Sequence, residues 1–325
     1  MSSSAPPTTV PDTARPPAAA AAGGRAGFSR APSAPGWQVW GALWIVYLVW
    51  GSTYLAIRVM VETVPPLLGA GARFTIAGAT LLLVLALRLG WTAVRPTRGA
   101  LLGAGLVGLL LPGANAVVSV AEQHVPSGLA ALLIGSIPLW VILLRRISGE
   151  AIPRRSAAAV VLGFAGVALL VRPGPQSADA SILGLLTCVG AAVMWASGSF
   201  ASRHVELPRH PLVSTGWQML IGGLACLLAG VIAGEGPQVD LAAFSTRSLL
   251  ALAYLVVMGS WVAFSAYVWL LQNAPLSKVA TYAYVNPVVA IILGWLVLSE
   301  VVAPVTIAGA AVIVAAVALA VRSER

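Results

Sequence analysis

Long apolar runs alternate with short polar segments along almost the whole chain. A run of about 20 apolar residues, at 1.5 Å per residue, matches the ~30 Å hydrocarbon core of a bilayer. From Trp37 onward the pattern predicts ten such spans, at about 38–59, 66–87, 99–119, 127–144, 156–172, 181–202, 211–233, 248–270, 279–298 and 302–321. The connections are short, so neighbouring helices are expected to run antiparallel. Residues 1–36 break the pattern, being rich in Ala, Pro, Ser and Gly without a long apolar run. Such a composition buries too little surface to fold, and a disordered tail is expected there. The expected fold class is an all-α polytopic membrane protein.

Composition agrees: 59% of residues are hydrophobic and 9% charged, against about 25% charged in a soluble domain. The net charge of +9 would by its size suit a nucleic-acid partner. The basic residues fall between apolar runs rather than on one soluble face, which argues against nucleic acid. Their distribution instead predicts orientation. Fifteen Arg and Lys lie on one side of the spans, and Arg58, Arg172 and Arg247 on the other. The bias places both termini in the cytoplasm and agrees with an even number of spans. Cys188 and Cys226 fall within spans and show no metal-ligand or redox spacing, so neither a metal nor a cofactor is expected.

A longer pattern overlies these runs. At an offset of 145, Trp50-x-Ser52-x-x-x-Ala56-x-Arg58 matches Trp195-x-Ser197-x-x-x-Ala201-x-Arg203. At the same offset Pro66, Leu67, Gly71, Ile76 and Gly78 match Pro211, Leu212, Gly216, Ile221 and Gly223. At 149, Gln123, Pro126 and Pro138 match Gln272, Pro275 and Pro287; at 150, Glu150 matches Glu300 and Arg172 matches Arg322. The slow drift in offset is what loop insertions produce. Each half, residues 37–173 and 180–322, holds five predicted spans, and an odd number turns the second half upside down. Two inverted five-helix repeats point to alternating access around a midplane site.

The residues that carry the repeat also resemble a known family. Trp50-Gly-Ser-Thr-Tyr54, Pro65-Pro66 with Ala72-Arg73-Phe74, Val120-Ala-Glu122 with Val125-Pro-Ser-Gly128, Gly198-Ser-Phe-x-Ser-Arg203 and Tyr282-x-Tyr-Val-Asn-Pro-Val288 are similar to the EamA-type branch of the drug/metabolite transporter superfamily. The resemblance spans about residues 40–321. It implies ten helices around a central cavity, both termini cytoplasmic. It also implies export of small metabolites, amino acids or drugs across a bacterial inner membrane.

Polar groups at membrane depth are costly unless they face protein or water, which makes them the candidate site residues. Arg73 is the charge well inside a span, and it can pair a substrate carboxylate or an internal acid. The plainer alternative is a stem that snorkels to the headgroups. Its repeat mate is the uncharged Gln218. Trp50, Tyr54 and Trp195 set aromatic rings beside small hydroxyls. Asn115 in the third span and Ser260 in the eighth must find partners. Pro138 and Pro287 each remove a backbone N–H, freeing the carbonyls of Ile134 and Ala283, so both are expected helix breaks, with Tyr282 and Asn286 beside the second. Glu122 and His124, in the turn between the third and fourth spans, are candidates for proton coupling, and a solvated lip is the plainer reading. Capping or interface pairing is expected of Glu150 and Glu300.

The sequence therefore points to a secondary transporter that exports small organic metabolites, such as amino acids or related compounds, or drugs. It would act in the lipid bilayer as a monomer or homodimer. The substrate would meet Trp50, Tyr54, Arg73, Asn115, Trp195, Gln218, Tyr282 and Asn286, and protons are the candidate coupling ion. A passive channel is the alternative, although no ring of charge or filter repeat is present. An intramembrane enzyme would need a nucleophile with its base at depth, whereas His124, His204 and His210 all fall in predicted loops.

Overall fold

A computed structural model describes residues 35–171, 181–274, 276–279 and 281–323. The expected tail, up to residue 34, and the charge of Arg172 lie outside the described residues. Among those described, every regular element is helical. α1 (Gly36–Met60), α2 (Pro66–Leu89), the short α3 (Trp91–Val94) and α4 (Arg98–Ala121) open the chain. α5 (Ser127–Ile134) and α6 (Ile137–Ile147) form an interrupted segment, followed by α7 (Arg154–Val171), α8 (Ile182–Ala201) and α9 (Pro211–Ile232). α10 (Thr246–Tyr254) passes through a π-helical stretch, Leu255–Val262, into α11 (Ala263–Asn273). The short α12 (Leu276–Val279) precedes α13 (Tyr282–Leu298) and α14 (Pro304–Ser323). Among the described residues, eight helical segments are long and apolar enough to cross a membrane; Tyr282–Leu298 and Pro304–Ala320 are apolar but shorter.

The sequence explains where the helices begin. Pro66 and Pro211 open α2 and α9, where a missing N–H is harmless. Thr97 and Ser181 cap α4 and α8, accepting from the backbone N–H of Ala100 at 3.1 Å and of Gly184 at 2.9 Å. The break expected at Pro138 is present, since α5 ends at Ile134 and α6 starts at Ile137. At Pro287 the expectation fails: α13 continues through it, and the interruption falls earlier, at Thr281. A proline there forfeits a single hydrogen bond near the helix start. Its ring also packs against Gly135, where an added Cβ would come within 3.0 Å.

Small residues bring the helices together. α2 and α9 cross antiparallel with almost no side chain between their backbones: a Cβ added at Gly78 would lie 2.4 Å from the Leu220 nitrogen, and one added at Gly223 2.4 Å from the Thr75 nitrogen. Gly71 meets Leu227 and Gly216 meets Leu82 along the same seam. α4 joins α9 where Gly222 faces the Gly108 carbonyl. α7 and α14 pair through Gly163 on Ala316, Gly166 on Ile313 and Gly309 on Leu170. In lipid, association rests on van der Waals packing, which close backbone approach maximises. A buried cluster of Leu129, Leu132, Leu133, Leu139, Leu170, Leu185 and Ile313 fills the space among α5, α6, α7, α8 and α14. Leu102, Leu183, Leu228 and Ile232 point outward, as a lipid-facing surface requires.

Gly78→Val is expected to destabilise the protein by about 1–3 kcal/mol, the usual range for overpacking. The check is the thermal unfolding midpoint in detergent. Gly190→Ala, with nothing within 4 Å of the added Cβ, should leave that midpoint unchanged or slightly higher.

Candidate functional site

A cavity with about 950 Å³ of empty space, its open mouth included, lies among α1, α2, α4, α5, α6, α8, α9, the π-helical stretch, α11 and α13. Trp50, Tyr54, Arg73, Asn115, Trp195, Tyr282 and Asn286 all line it, together with Pro138 and Pro287. Gln218 does not. It lines an adjoining space of about 300 Å³ with Asn115 and Trp195, and its amide donates to Ser214 Oγ at 2.8 Å, along its own helix.

Arg73 of α2 is 6% exposed, so its stem does not snorkel to the surface. Its Nε donates to Ser260 Oγ at 3.2 Å, and its guanidinium carbon lies 4.6 Å from the centroid of the Phe74 ring. Ser260 Oγ donates in turn to the Leu255 carbonyl, five residues back, at 3.1 Å. That spacing belongs to the π-helical stretch, and such local widening is frequent at functional sites. Among the described residues no carboxylate forms an ion pair with Arg73. A guanidinium carries five N–H donors, so one hydrogen bond leaves most of them for water or a ligand.

Trp50 of α1 is the hub of an aromatic cluster. Its ring centroid lies 5.1 Å from that of Tyr267, 5.2 Å from Tyr282 and 5.7 Å from Phe264. Its indole N–H donates to the Gly259 carbonyl at 3.2 Å, which fixes the ring against the π-helical stretch. Asn286 is 7% exposed, and its Oδ1 has no hydrogen-bond partner among the described residues. A buried acceptor left unpaired costs about 1–3 kcal/mol, so Asn286 presents an unmet demand to whatever enters the cavity. Asn115 spends one N–H on the Leu111 carbonyl at 3.4 Å. The small hydroxyls of Ser52 and Thr53 bond to the Val49 and Trp50 carbonyls of their own helix.

Phe264, Phe74, Met219 and Gly259 also line the cavity. Apart from Phe74, which belongs to the Ala72-Arg73-Phe74 motif, the sequence did not single them out, because an apolar residue in an apolar span carries no contrast. Gly259 beside Ser260 was the readable signal in that stretch.

The acidic residues sit at helix ends. Glu300 reaches from beyond α13 to the start of α5. There its carboxylate accepts from Ser127 N at 2.8 Å, Ser127 Oγ at 3.0 Å and Gly128 N at 3.3 Å. Glu235 caps α2 in the same way, accepting from Leu67 N at 3.1 Å and Leu68 N at 2.9 Å. Glu150 pairs with Arg145 Nε at 2.7 Å near the surface. The solvated-lip reading holds for Gln123 and His124, both exposed, and fails for Glu122, which is fully buried. Arg58 of α1 donates to the Glu122 backbone carbonyl and ties the turn to α1. Burial first, and the charge of Glu300 second, push the Glu122 carboxyl well above the usual carboxylate range, with Arg58 opposing them.

Comparison with known proteins adds a family and relatives. The sequence model of the EamA-like transporter family matches twice, over residues 39–172 and 182–322. The chain is 38% identical over 259 residues to the uncharacterized inner membrane transporter YedA of Escherichia coli (strain K12), covering 79% of this chain and 81% of that protein. It is 26% identical over 280 residues to a probable amino-acid metabolite efflux pump of Salmonella typhimurium (strain LT2), covering 83% and 90%. A crystal structure that shares 21% identity has the same fold, with a TM-score of 0.61 over 88% of this chain and 99% of that one.

Glu300→Ala should destabilise the protein by about 0.5–2 kcal/mol, the range for losing a helix cap. Glu150→Ala, which breaks a partly exposed pair, should shift stability by under about 1 kcal/mol. Thermal unfolding of the two variants side by side distinguishes a cap from a surface ion pair.

Proposed function

The chain belongs to the EamA-like transporter family, and from that premise we propose that it exports a small carboxylate-bearing metabolite of the amino-acid class by alternating access. The observation that carries this reading is Arg73, a buried cation on the cavity wall without an ion-pair partner among the described residues. A guanidinium binds a carboxylate through two parallel hydrogen bonds. Asn286 Oδ1 offers an acceptor to a substrate ammonium or amide. The rings of Trp50, Phe264 and Tyr282 suit an apolar side chain. The Salmonella relative, a probable amino-acid metabolite efflux pump, supports the same class, and the Escherichia coli relative, an inner membrane transporter, supports an inner-membrane location.

Counting Tyr282–Leu298 and Pro304–Ala320 as spans gives ten, and the Arg and Lys bias then puts both termini in the cytoplasm. The contacts between helices support two inverted repeats, residues 37–173 and 180–322. Shifting Gly71 on Leu227 by 145 gives Gly216 on Leu82 with the partners exchanged, and Gly78 on Leu220 likewise gives Gly223 on Thr75. At 150, Gly163 on Ala316 gives Ile313 on Gly166. Such exchange is what a pseudo-two-fold axis relating inverted halves would produce, the arrangement in which one half can rock against the other.

A thermal-shift screen of the purified protein against amino acids, nucleosides, sugars and cationic drugs tests the substrate class. A ligand at a hundred times its Kd adds about 2.7 kcal/mol of stability. Stabilisation by zwitterionic or anionic metabolites is expected, and Arg73→Ala should weaken it at least tenfold while the protein stays monodisperse. Stabilisation by hydrophobic cations alone, or unchanged binding in Arg73→Ala, would overturn the carboxylate assignment.

A further inference from the structure

We propose that the Glu122 carboxyl is a proton-binding site, and that the proton it holds keeps α13 latched onto the start of α5. The inference rests on reading the chain as an alternating-access carrier. Glu122 closes the C-terminal end of α4 and is fully buried, and neither of its carboxyl oxygens has a hydrogen-bond partner among the described residues. An ionised carboxylate so placed would have given up its water without replacement, whereas the neutral acid suits the site.

The groups within reach of Glu122 come from each element around it. α1 contributes Tyr54 and Arg58, α8 contributes Cys188, and the segment after α13 contributes Glu300. His124 lies in the same turn and is exposed. Arg58 spends a hydrogen bond on the Glu122 backbone carbonyl. Glu300 accepts three hydrogen bonds from the first residues of α5, the pattern of an ionised carboxylate at a helix N-terminus. Two neighbouring acids cannot both ionise cheaply, so the proton belongs on the one that lacks donors.

The latch is the Glu300 contact itself. It binds the segment after α13 to the first turn of α5, where Gly294 and Gly128 let the two helices close up. Its repeat mate Glu150 pairs instead with Arg145 in its own segment, so the two repeat-related ends differ in this conformation. Ionising Glu122 would set a second negative charge beside Glu300 in a site buried from solvent, and separating α5 from α13 would relieve it. The sign follows from linkage. The latched arrangement holds the carboxyl at a higher pKa than an arrangement open to water. It is therefore favoured in acid and loses that advantage as pH rises beyond the ordinary carboxylate range. Tyr54 also lines the cavity, which places the proton site one side chain away from the proposed substrate.

The test needs no substrate. Spin labels on Gln123→Cys and Val301→Cys, both exposed positions, in a chain carrying Cys188→Ala and Cys226→Ala, report the separation across the latch. The wild-type background should gain a longer distance population as pH is raised from mildly acid to alkaline. Glu122→Gln, a permanent mimic of the protonated acid, should stay at the short distance throughout. A wild-type distance that ignores pH, or the same pH dependence in Glu122→Gln, would overturn the proposal, the second outcome passing the role to another group such as His124. Should Glu122→Gln not fold, Glu122→Asp keeps an acid there, and infrared spectra of the full chain at neutral pH report a protonated carboxyl directly; its absence overturns the proposal. Neither readout depends on transport, so the proton site can fail while the carrier reading stands.

Discussion

A guanidinium buried among apolar helices has to be held in place by polar atoms that are themselves fixed, and the site is arranged around that requirement. Ser260 supplies the hydrogen bond to Arg73, and its oxygen is positioned because the helix widens from Leu255 to Val262. The same widening brings the Gly259 carbonyl to the Trp50 indole. The ring of Phe74 covers the cation from its own helix. One local departure from regular helical geometry thus orients both the charge and the aromatic hub of the cavity. In a low-dielectric site, charge left without an anion on the protein interacts strongly with any anion that enters.

The space in which this happens is set by glycine. α2 and α9 meet backbone to backbone, and at a second seam the glycines of α7 and α14 receive side chains of the facing helix. These tight seams leave room elsewhere among the helices, where larger side chains line the cavity instead of filling it. The two seams are built alike on either side of the proposed two-fold axis, while the cavity is not. Arg73 has Gln218 as its repeat mate, and that amide turns to Ser214 and away from the main cavity.

Much of this was legible in the sequence. Spans appear as apolar runs because a bilayer demands them, and glycines recur at repeat positions because only they allow the seams. Arg73, Asn115 and Asn286 stood out as polar groups against an apolar background, and Trp50, Tyr54, Trp195 and Tyr282 stood out as aromatic rings in the repeat motifs or beside an expected break. Other features depend on long-range packing that no local pattern encodes. The π-helical stretch leaves no periodicity to detect in a uniformly apolar segment. Pro287 reads as a break until Gly135 is seen to receive its ring. Glu122 reads as part of a polar turn, and its burial goes with a tie to α1 through Arg58, 64 positions away in the chain. Phe264 and Met219 reach the cavity from helices whose sequence offers no contrast there.

The measurement that bears most directly on the central claim is counterflow in proteoliposomes. Vesicles preloaded with an unlabelled amino acid are diluted into a trace of the same compound in radiolabelled form, across a panel of amino acids. A carrier that exposes one site alternately to each side predicts a transient accumulation of label above equilibrium for at least one compound, and the loss of that overshoot in Arg73→Ala. Simple equilibration without overshoot for a compound that permeates would contradict alternating access, and an undiminished overshoot in Arg73→Ala would contradict the assignment of that cation to the substrate.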